Sequence, residues 1–410
     1  MVLIVINFLK SFLAKLSKKT GSKWGGGIGL LWRGNSSSLY IDALKATIFK
    51  RKSRSNISKS IFLFESSRVA IYQYAKSIEL GAQDRVQILG FTCEAVTDAI
   101  KPFGSKISLY DCDKSLRSPN FILMDDTKLL ICQVTFGVCA LPEEILNNAA
   151  SRGVKILIDK SLSYGAQDFN VINLNKYPQV LSFEVSKSFT IGWGGLLNIP
   201  DEMTVQFSQY FSTLGTVSLW DDLGRVIRVI LNLFMVRHGG ILAYGLWMVL
   251  RVLGLHRLSA KSSLSKYHKR PIMGYFSKRI FNRLVTDIPR LLEVSNLHHA
   301  SIKEALEDVG YHVISYTDDS VSTPRVAFLA HEAEKLNLQR LFSDHGIELG
   351  FWFDSFPLPE QEIDRSNVIG CQELMHSVVN LPCHWTLTDQ ELHLMMGCIR
   401  QSKMIDAQGL

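Results

Sequence analysis

Between Ile61 and Asp159 the chain alternates short apolar runs with amphipathic stretches, and this alternation limits the available folds more than any other feature. SIFLFE, VQILGFT, KISLYDC, KLLICQVTF and VKILID read as buried strands, and ESSRVAIYQYAKSI, CEAVTDAI and PEEILNNAASRG between them read as helices. In the first helix Ile71, Ala75 and Ile78 share one face, with Ser66 or Ser67 at the N-cap. Strands separated by helical crossovers at this spacing predict an α/β fold, a mostly parallel sheet covered by helices on both faces. Such sheets bind ligands beyond the carboxyl ends of their strands.

Three features fall at those ends. Ser66 and Ser67 head a helix that follows a strand, where free N–H groups and the helix dipole suit a phosphate. Asp159 closes the strand VKILID. In LSFEVSKSFTIGWGG, Ser182 lies five residues before Lys187, and Gly192, Gly194 and Gly195 follow. Singly these are a cap serine, a loop aspartate and a strand-end lysine. Together they place a phosphate cradle, a carboxylate and an amine on one sheet edge. Pyridoxal phosphate (PLP) needs that set: an anion site, a carboxylate to keep its pyridine nitrogen protonated, and a lysine to hold its aldehyde as an imine.

The same stretches resemble the DegT/DnrJ/StrS-type sugar aminotransferases, fold-type I PLP-dependent enzymes. FESSRVAIYQYAKSIELGAQDRVQILGFTCEAVTDAI is similar to that family's serine-glycine-arginine-alanine-leucine helix start and the strand after it. ICQVTFGVCALPEEILNNAASRGVKILIDKSLSYGA is similar to its turn, helix and strand ending in the cofactor aspartate. LSFEVSKSFTIGWGG resembles the stretch that carries the cofactor lysine, and NLPCHWTLTDQEL the closing turn before the last helix. The resemblance implies that Lys187 forms the imine, that Asp159 pairs with the pyridinium nitrogen, and that Ser182 with Ser66 or Ser67 holds the phosphate. It implies a seven-stranded-type sheet, a small C-terminal α+β domain, a homodimer, glutamate as amino donor and a nucleotide-linked keto sugar as acceptor. Four positions depart from the family pattern. Leu162 stands where a glutamine or histidine is usual, and Cys93 where an aromatic stacks on the ring. Val134 or Thr135 replaces a histidine, and no asparagine-arginine segment precedes Met273 and Gly274. Leu162 and Cys93 keep a PLP-dependent elimination at a sugar carbon open as an alternative, and an inactive membrane-associated relative is a third reading.

The remaining chain divides into a basic, partly amphipathic segment over 1–60, a large domain over 61–200, an apolar insertion over 201–270, and a linking helix with the small domain over 271–410. Residues 1–60 hold twelve Lys or Arg and one acid, Asp42, so the net charge of +7 is a local feature. The opening MVLIVINFLKSFLAKLSKKT lacks the order of a secretory signal and is interrupted too early to span a bilayer. It reads as an interfacial helix attracted to anionic lipid or as a helix packed on its own protein. The basic run FKRKSRSNISKS lacks the interleaved aromatics of a single-strand nucleic-acid platform. No nucleic-acid partner is expected.

In the insertion, GRVIRVILNLFMVRHGGILAYGLWMVLRVLGLHRLSAK is the most apolar stretch and is punctuated by arginines. It predicts a helical hairpin at a membrane surface or at a dimer contact. A mean hydropathy of +0.10 agrees with apolar surface facing lipid or a partner. Beyond Pro271 a long helix, strands at YHVISY, RVAFLA and IELGFWF and a helix through EAEKLNLQRLFSDHG are expected. His298 and His299 read as surface or helix residues without a third metal ligand, and no metal site is expected. Seven scattered cysteines without a CxxC pair predict reduced thiols and a cytoplasmic protein, in contact with the inner face of the membrane.

Overall fold

The structure is a computed structural model, described for residues 58–164, 174–184, 186–237, 270–318 and 321–407. In chain order the strands of the large domain are β1 (Ile61–Phe64), β2 (Arg85–Leu89), β3 (Lys106–Tyr110), β4 (Thr127–Thr135), β5 (Val138–Cys139), β6 (Lys155–Asp159), β7 (Gln179–Ser182) and β8 (Gly195–Asn198). Its helices are α1 (Ser67–Ser77), α2 (Glu94–Ile100), α3 (Glu143–Ser151) and α4 (Asp201–Ser212). The sheet runs β1-β8-β7-β6-β4-β2-β3, with the short β5 paired to β4. Strands β3, β2, β4, β6 and β7 are parallel, and β8 runs antiparallel to both its neighbours. This is the expected sheet, with seven strands on its main path. Its central strands are buried on both faces because each faces a helical layer, as their largely apolar sequences require.

The insertion begins with α4 and continues as α5 (Leu219–Arg237), while α6 (Tyr275–Asp308) opens the C-terminal part. Val226 and Val229 of α5 are fully buried with Phe281, Leu284 and Ile288 of α6 and with Phe183, Phe189 and Trp193. At least one face of α5 is therefore core. Leu219, Trp220 and Ile227 of α5 remain exposed. No helix among the described residues is long and apolar enough to cross a membrane. The N-terminal amphipathic segment and the rest of the hairpin, from residue 238 to 269, lie outside the described residues.

Helix α6 has 34 residues, or about 50 Å at 1.5 Å per residue. Its N-cap, Gly274, has no capping side chain, and Asp222 of α5 supplies the acceptor instead. The carboxylate accepts from the Phe276 N–H at 2.6 Å and from the Ser277 hydroxyl, whose oxygen also accepts from the Trp193 indole at 3.0 Å. The start of α6 packs in the large-domain core, and its end, at Ile302 and Leu306, packs in the core of the small domain.

The small domain holds a three-stranded antiparallel sheet of β9 (His312–Val313), β10 (Arg325–Leu329) and β11 (Val378–Pro382), in the order β11-β10-β9. It is covered by α7 (Glu332–Asp344), α8 (Ile369–Ser377) and α9 (Asp389–Ala407). Two sequence expectations change here. IELGFWF is not a strand: only Gly350 makes a bridge, to Asn380, and the aromatics leave the sheet. The sheet position is filled by VVNLP, whose NLP part the family resemblance assigns to a turn; as β11 is an edge strand, Pro382 is tolerated there.

His298 and His299 lie on α6 as expected of a helix, but both are buried, which corrects the surface reading. His298 Nδ1 lies 3.0 Å from the His384 carbonyl, while His299 meets the Ser315 and Thr317 hydroxyls at 3.0 and 3.1 Å. Burial pulls the His299 pKa down to about 4 and that of His384 to about 3. Below the unfolded value of about 6.5 the unfolded chain takes up protons that the folded one refuses, so stability falls as the pH drops from there toward 4. Urea unfolding midpoints are expected to fall between pH 7 and pH 4.5 in the wild type, and His299→Gln is expected to flatten that slope.

Candidate active site

The cleft lies where parallel strands end. Thr92 and Cys93 follow β2, Gln133 to Thr135 end β4, Asp159 ends β6, and Glu184, Ser186 and Lys187 follow β7. The opposite wall comes from the small domain, as Phe351, Trp352, Phe353 and Asp354. The enclosed volume is about 270 Å³.

Lys187 sits at the tip of a loop that closes on itself. The Phe183 N–H donates to the Gly194 carbonyl at 3.0 Å and the Ile191 N–H returns to the Phe183 carbonyl at 3.2 Å. The Thr190 hydroxyl bonds the same carbonyl at 2.9 Å, and the Lys187 N–H closes a turn on Glu184 at 3.1 Å. Phe189, Ile191 and Trp193 anchor the loop in the core, while Gly192 and Gly194 adopt φ of 91° and 109°, which other residues reach at a cost. The amine itself is half-buried, 5.7 Å from the Trp352 ring centroid. It makes no hydrogen bond to the described residues.

Asp159 is 6% exposed and pairs in register with Gln133 of β4. Its Oδ1 accepts from the Ser161 N–H at 2.9 Å; Oδ2 has no hydrogen-bond donor among the described residues. Asp159 and Lys187 thus share one cleft, as the sequence implies. The three serines converge elsewhere, around Gly194 and Gly195. Phe64, Gly195 and Ser182 form one cross-strand row, and Ser66 bridges Gly194. The Ser66 hydroxyl caps α1, accepting from the Val69 N–H at 3.2 Å, so Ser66 serves as the cap and Ser67 opens the helix. The Ser182 hydroxyl, 7% exposed, lies 3.5 Å from the Glu184 N–H.

The departures named above also line the cleft. Leu162, Val134 and Thr135 are buried in its wall, and Cys93 opens α2. Cys93 is exposed to solvent; desolvation by the neighbouring protein atoms raises its thiol pKa, against the opposing pull of the Lys187 charge. Met273 and Gly274 have a structural part: Met273 packs against Gly194, and Gly274 leaves room for the Asp222 carboxylate.

Sequence reasoning missed Gln133 and the aromatic wall. Gln133 is 3% exposed, its Oε1 accepts from the Leu89 N–H at 3.3 Å, and its Nε2 is buried without an acceptor among the described residues. A single amide in the otherwise apolar run LLICQV was the available signal. Trp352 is stacked on the guanidinium of Arg325, 4.6 Å from its centroid, and Arg325 is itself fully buried and bonded to Glu348 at 2.9 Å.

No family model matches the sequence, and no curated protein is similar to it. Solved structures are similar in fold. Helicobacter pylori PseC, an aminotransferase involved in the biosynthesis of pseudoaminic acid, superposes with a TM-score of 0.65 at 11% identity, covering 92% of this chain and 100% of that one. A DegT DnrJ EryC1 StrS aminotransferase from Brucella abortus gives 0.60 at 14%, covering 88% and 94%. A Streptococcus pneumoniae protein described as a sugar aminotransferase, in its PLP-form, gives 0.63 at 14%, covering 90% and 96%. The chain has the fold of these fold-type I structures.

A side chain at Gly195 would place its Cβ 2.2 Å from the Ser67 nitrogen and 2.3 Å from the Ser66 carbonyl carbon, both backbone atoms. Gly195→Ala is therefore expected to lower stability by about 1–3 kcal/mol, read as a shift in the urea unfolding midpoint.

Proposed function

We propose that this chain is a PLP-dependent aminotransferase of the sugar type. The observation that carries the reading is the meeting of Asp159 and Lys187 in one cleft at the carboxyl ends of a parallel sheet, in a chain with the fold of aminotransferases. The residues present fit the cofactor. Asp159 keeps a carboxylate oxygen for a pyridinium N–H, and Lys187 carries an amine bound to no other described side chain. The orphaned Gln133 amide supplies a donor beside Asp159. Ser67 and Ser182 both lie against Gly195 at the start of α1, and a helix N-terminus suits an anion.

When bound, PLP supplies an electron sink for charge developing at the substrate carbon. The chain's own residues orient and move protons. Asp159 holds the proton on the ring nitrogen. Lys187 would hold the aldehyde of bound PLP, and its amine, when free, would serve as the general base that moves a proton at the donor's alpha carbon. The aromatic wall of Phe351, Trp352 and Phe353 limits water at the reacting atoms. Glutamate is the proposed amino donor and a nucleotide-linked keto sugar the acceptor, for surface polysaccharide or glycolipid synthesis. A homodimer is proposed. The basic first sixty residues and the exposed Leu219, Trp220 and Ile227 support contact with the inner face of a membrane in the cytoplasm.

Leu162 and Cys93 in the wall favour a second reading, elimination at a sugar carbon with the same cofactor. The purified chain supplied with PLP is expected to develop the absorption band of a lysine-bound cofactor, absent in Lys187→Ala; no band in the wild type sinks both readings. Bleaching of that band by glutamate supports transfer, and its persistence supports elimination.

A further inference from the structure

The loop after β3 and the start of α8 meet backbone to backbone, for a side chain at Gly370 would collide with the Cys112 carbonyl oxygen. The Asp111 carboxylate fixes the contact by accepting from the Gly370 and Cys371 N–H groups at 2.9 and 2.7 Å, two donors that the helix start leaves unpaired. Two cysteines 259 positions apart are brought together here. Cys112 Sγ lies 3.7 Å from Cys371 Sγ, and both residues are buried free thiols.

Burial does not seal the pair. Cys112 lines a cavity of about 560 Å³, and Lys114, Ser115 and Glu373 of the same lining are exposed, so a small solute reaches it from solvent. The pair also joins two parts of the molecule. Cys112 follows β3, the edge strand of the large sheet, while Cys371 and Leu374 of α8 pack with it among Leu89, Phe91 and Tyr110. Trp352 and Phe353 of the cleft wall lie against the same cluster. A second close pair, Cys132 and Cys139 at 3.5 Å, is only seven positions apart within the β4–β5 hairpin, and a bridge there would join strands already paired.

We propose that Cys112 and Cys371 form a reversible disulfide that fastens α8, and with it the small domain, to the large domain. The site is independent of the cofactor, and the oxidant is a hydroperoxide. The Cys112 thiolate attacks a peroxide oxygen, the O–O bond breaks, and the leaving hydroxide or alkoxide takes up a proton. The Cys371 sulfur then displaces the hydroxyl of the Cys112 sulfenic acid, which departs with the Cys371 thiol proton as water while the S–S bond forms. Two thiols lose two electrons, and the peroxide gains them. The hydrogen bond with Cys371, together with burial, holds the Cys112 pKa well above its ordinary value, so the thiolate is scarce near neutral pH and the first step is slow. A thiol reductant restores the pair by exchange.

The purified, reduced full chain is treated with excess hydrogen peroxide, its remaining thiols are alkylated, and its peptides are weighed. A cross-linked peptide joining Cys112 to Cys371 is expected, two hydrogens lighter than its free parts and split by a thiol reductant. The oxidised chain should unfold at a higher urea concentration than the reduced one, because the bridge constrains a long loop of the unfolded chain. Cys371→Ala should lose both the bridge and the shift, and Cys93→Ser should keep both. Should Cys371→Ala not fold, the wild-type peptide map decides alone. Peroxide treatment that leaves Cys112 and Cys371 open to alkylation overturns the proposal. So does a bridge confined to Cys132 and Cys139, a Cys112–Cys371 bridge that forms only in urea, or one that leaves the urea midpoint where it was.

Discussion

The closeness of β8 to the first turn of α1 is the constraint from which the site follows. Gly195 sits between Phe64 and Ser182 in one row of the sheet, and its missing side chain leaves room for the backbone of Ser66 and Ser67. The row fixes three things at once. It sets the register of the antiparallel strand in an otherwise parallel sheet, and it puts the start of α1 over the sheet edge. It also returns the chain from the Lys187 loop at a fixed point. One residue out of register would turn every side chain of β8 to the other face, moving the buried Leu197 and Leu196 as well as the loop.

The loop's anchors tie the cleft to the rest of the molecule. Trp193 donates to Ser277, whose hydroxyl donates to Asp222, and Asp222 also accepts the first N–H groups of α6. Burial raises the Asp222 pKa, and the hydrogen bonds from Ser277 and Phe276 offset part of that cost. Helix α6 then carries rigidity into the small domain, where Arg325 and Glu348 pair beneath Trp352. A buried arginine held by one carboxylate is weak evidence of net stabilisation. Its position here backs the aromatic that faces Lys187.

The legible parts of the sequence are those governed by short-range pattern. Largely apolar runs identified β2, β4 and β6 because both faces of those strands are covered, and Ser66 announced its helix through the cap it forms. Asp159 and Lys187 were legible because each ends a predicted strand. The illegible parts depend on tertiary contact. Alternation in IELGFWF suggests a strand, but Gly350 alone joins the sheet and Phe351 to Phe353 turn toward the cleft. The paired histidines of α6 look solvated in sequence because nothing local predicts the Ser315 and Thr317 hydroxyls that meet His299 in the core, or the His384 carbonyl that meets His298.

The wall contributed by the large domain is apolar or small at Leu162, Val134 and Cys93, while polarity and aromatic surface come from Gln133 inside β4 and from the 351–353 segment across the cleft. A stacking group carried on the same sheet as the lysine would be placed by that sheet alone. One carried by the small domain is placed by the packing of two domains through α6. The character of the cleft in this chain therefore depends on how the domains are held together, and the Trp193–Ser277–Asp222 connection lies on that path. The Gly195 row and the strand-end pair of Asp159 and Lys187 demand few particular residues, and the cleft wall can be rebuilt around them.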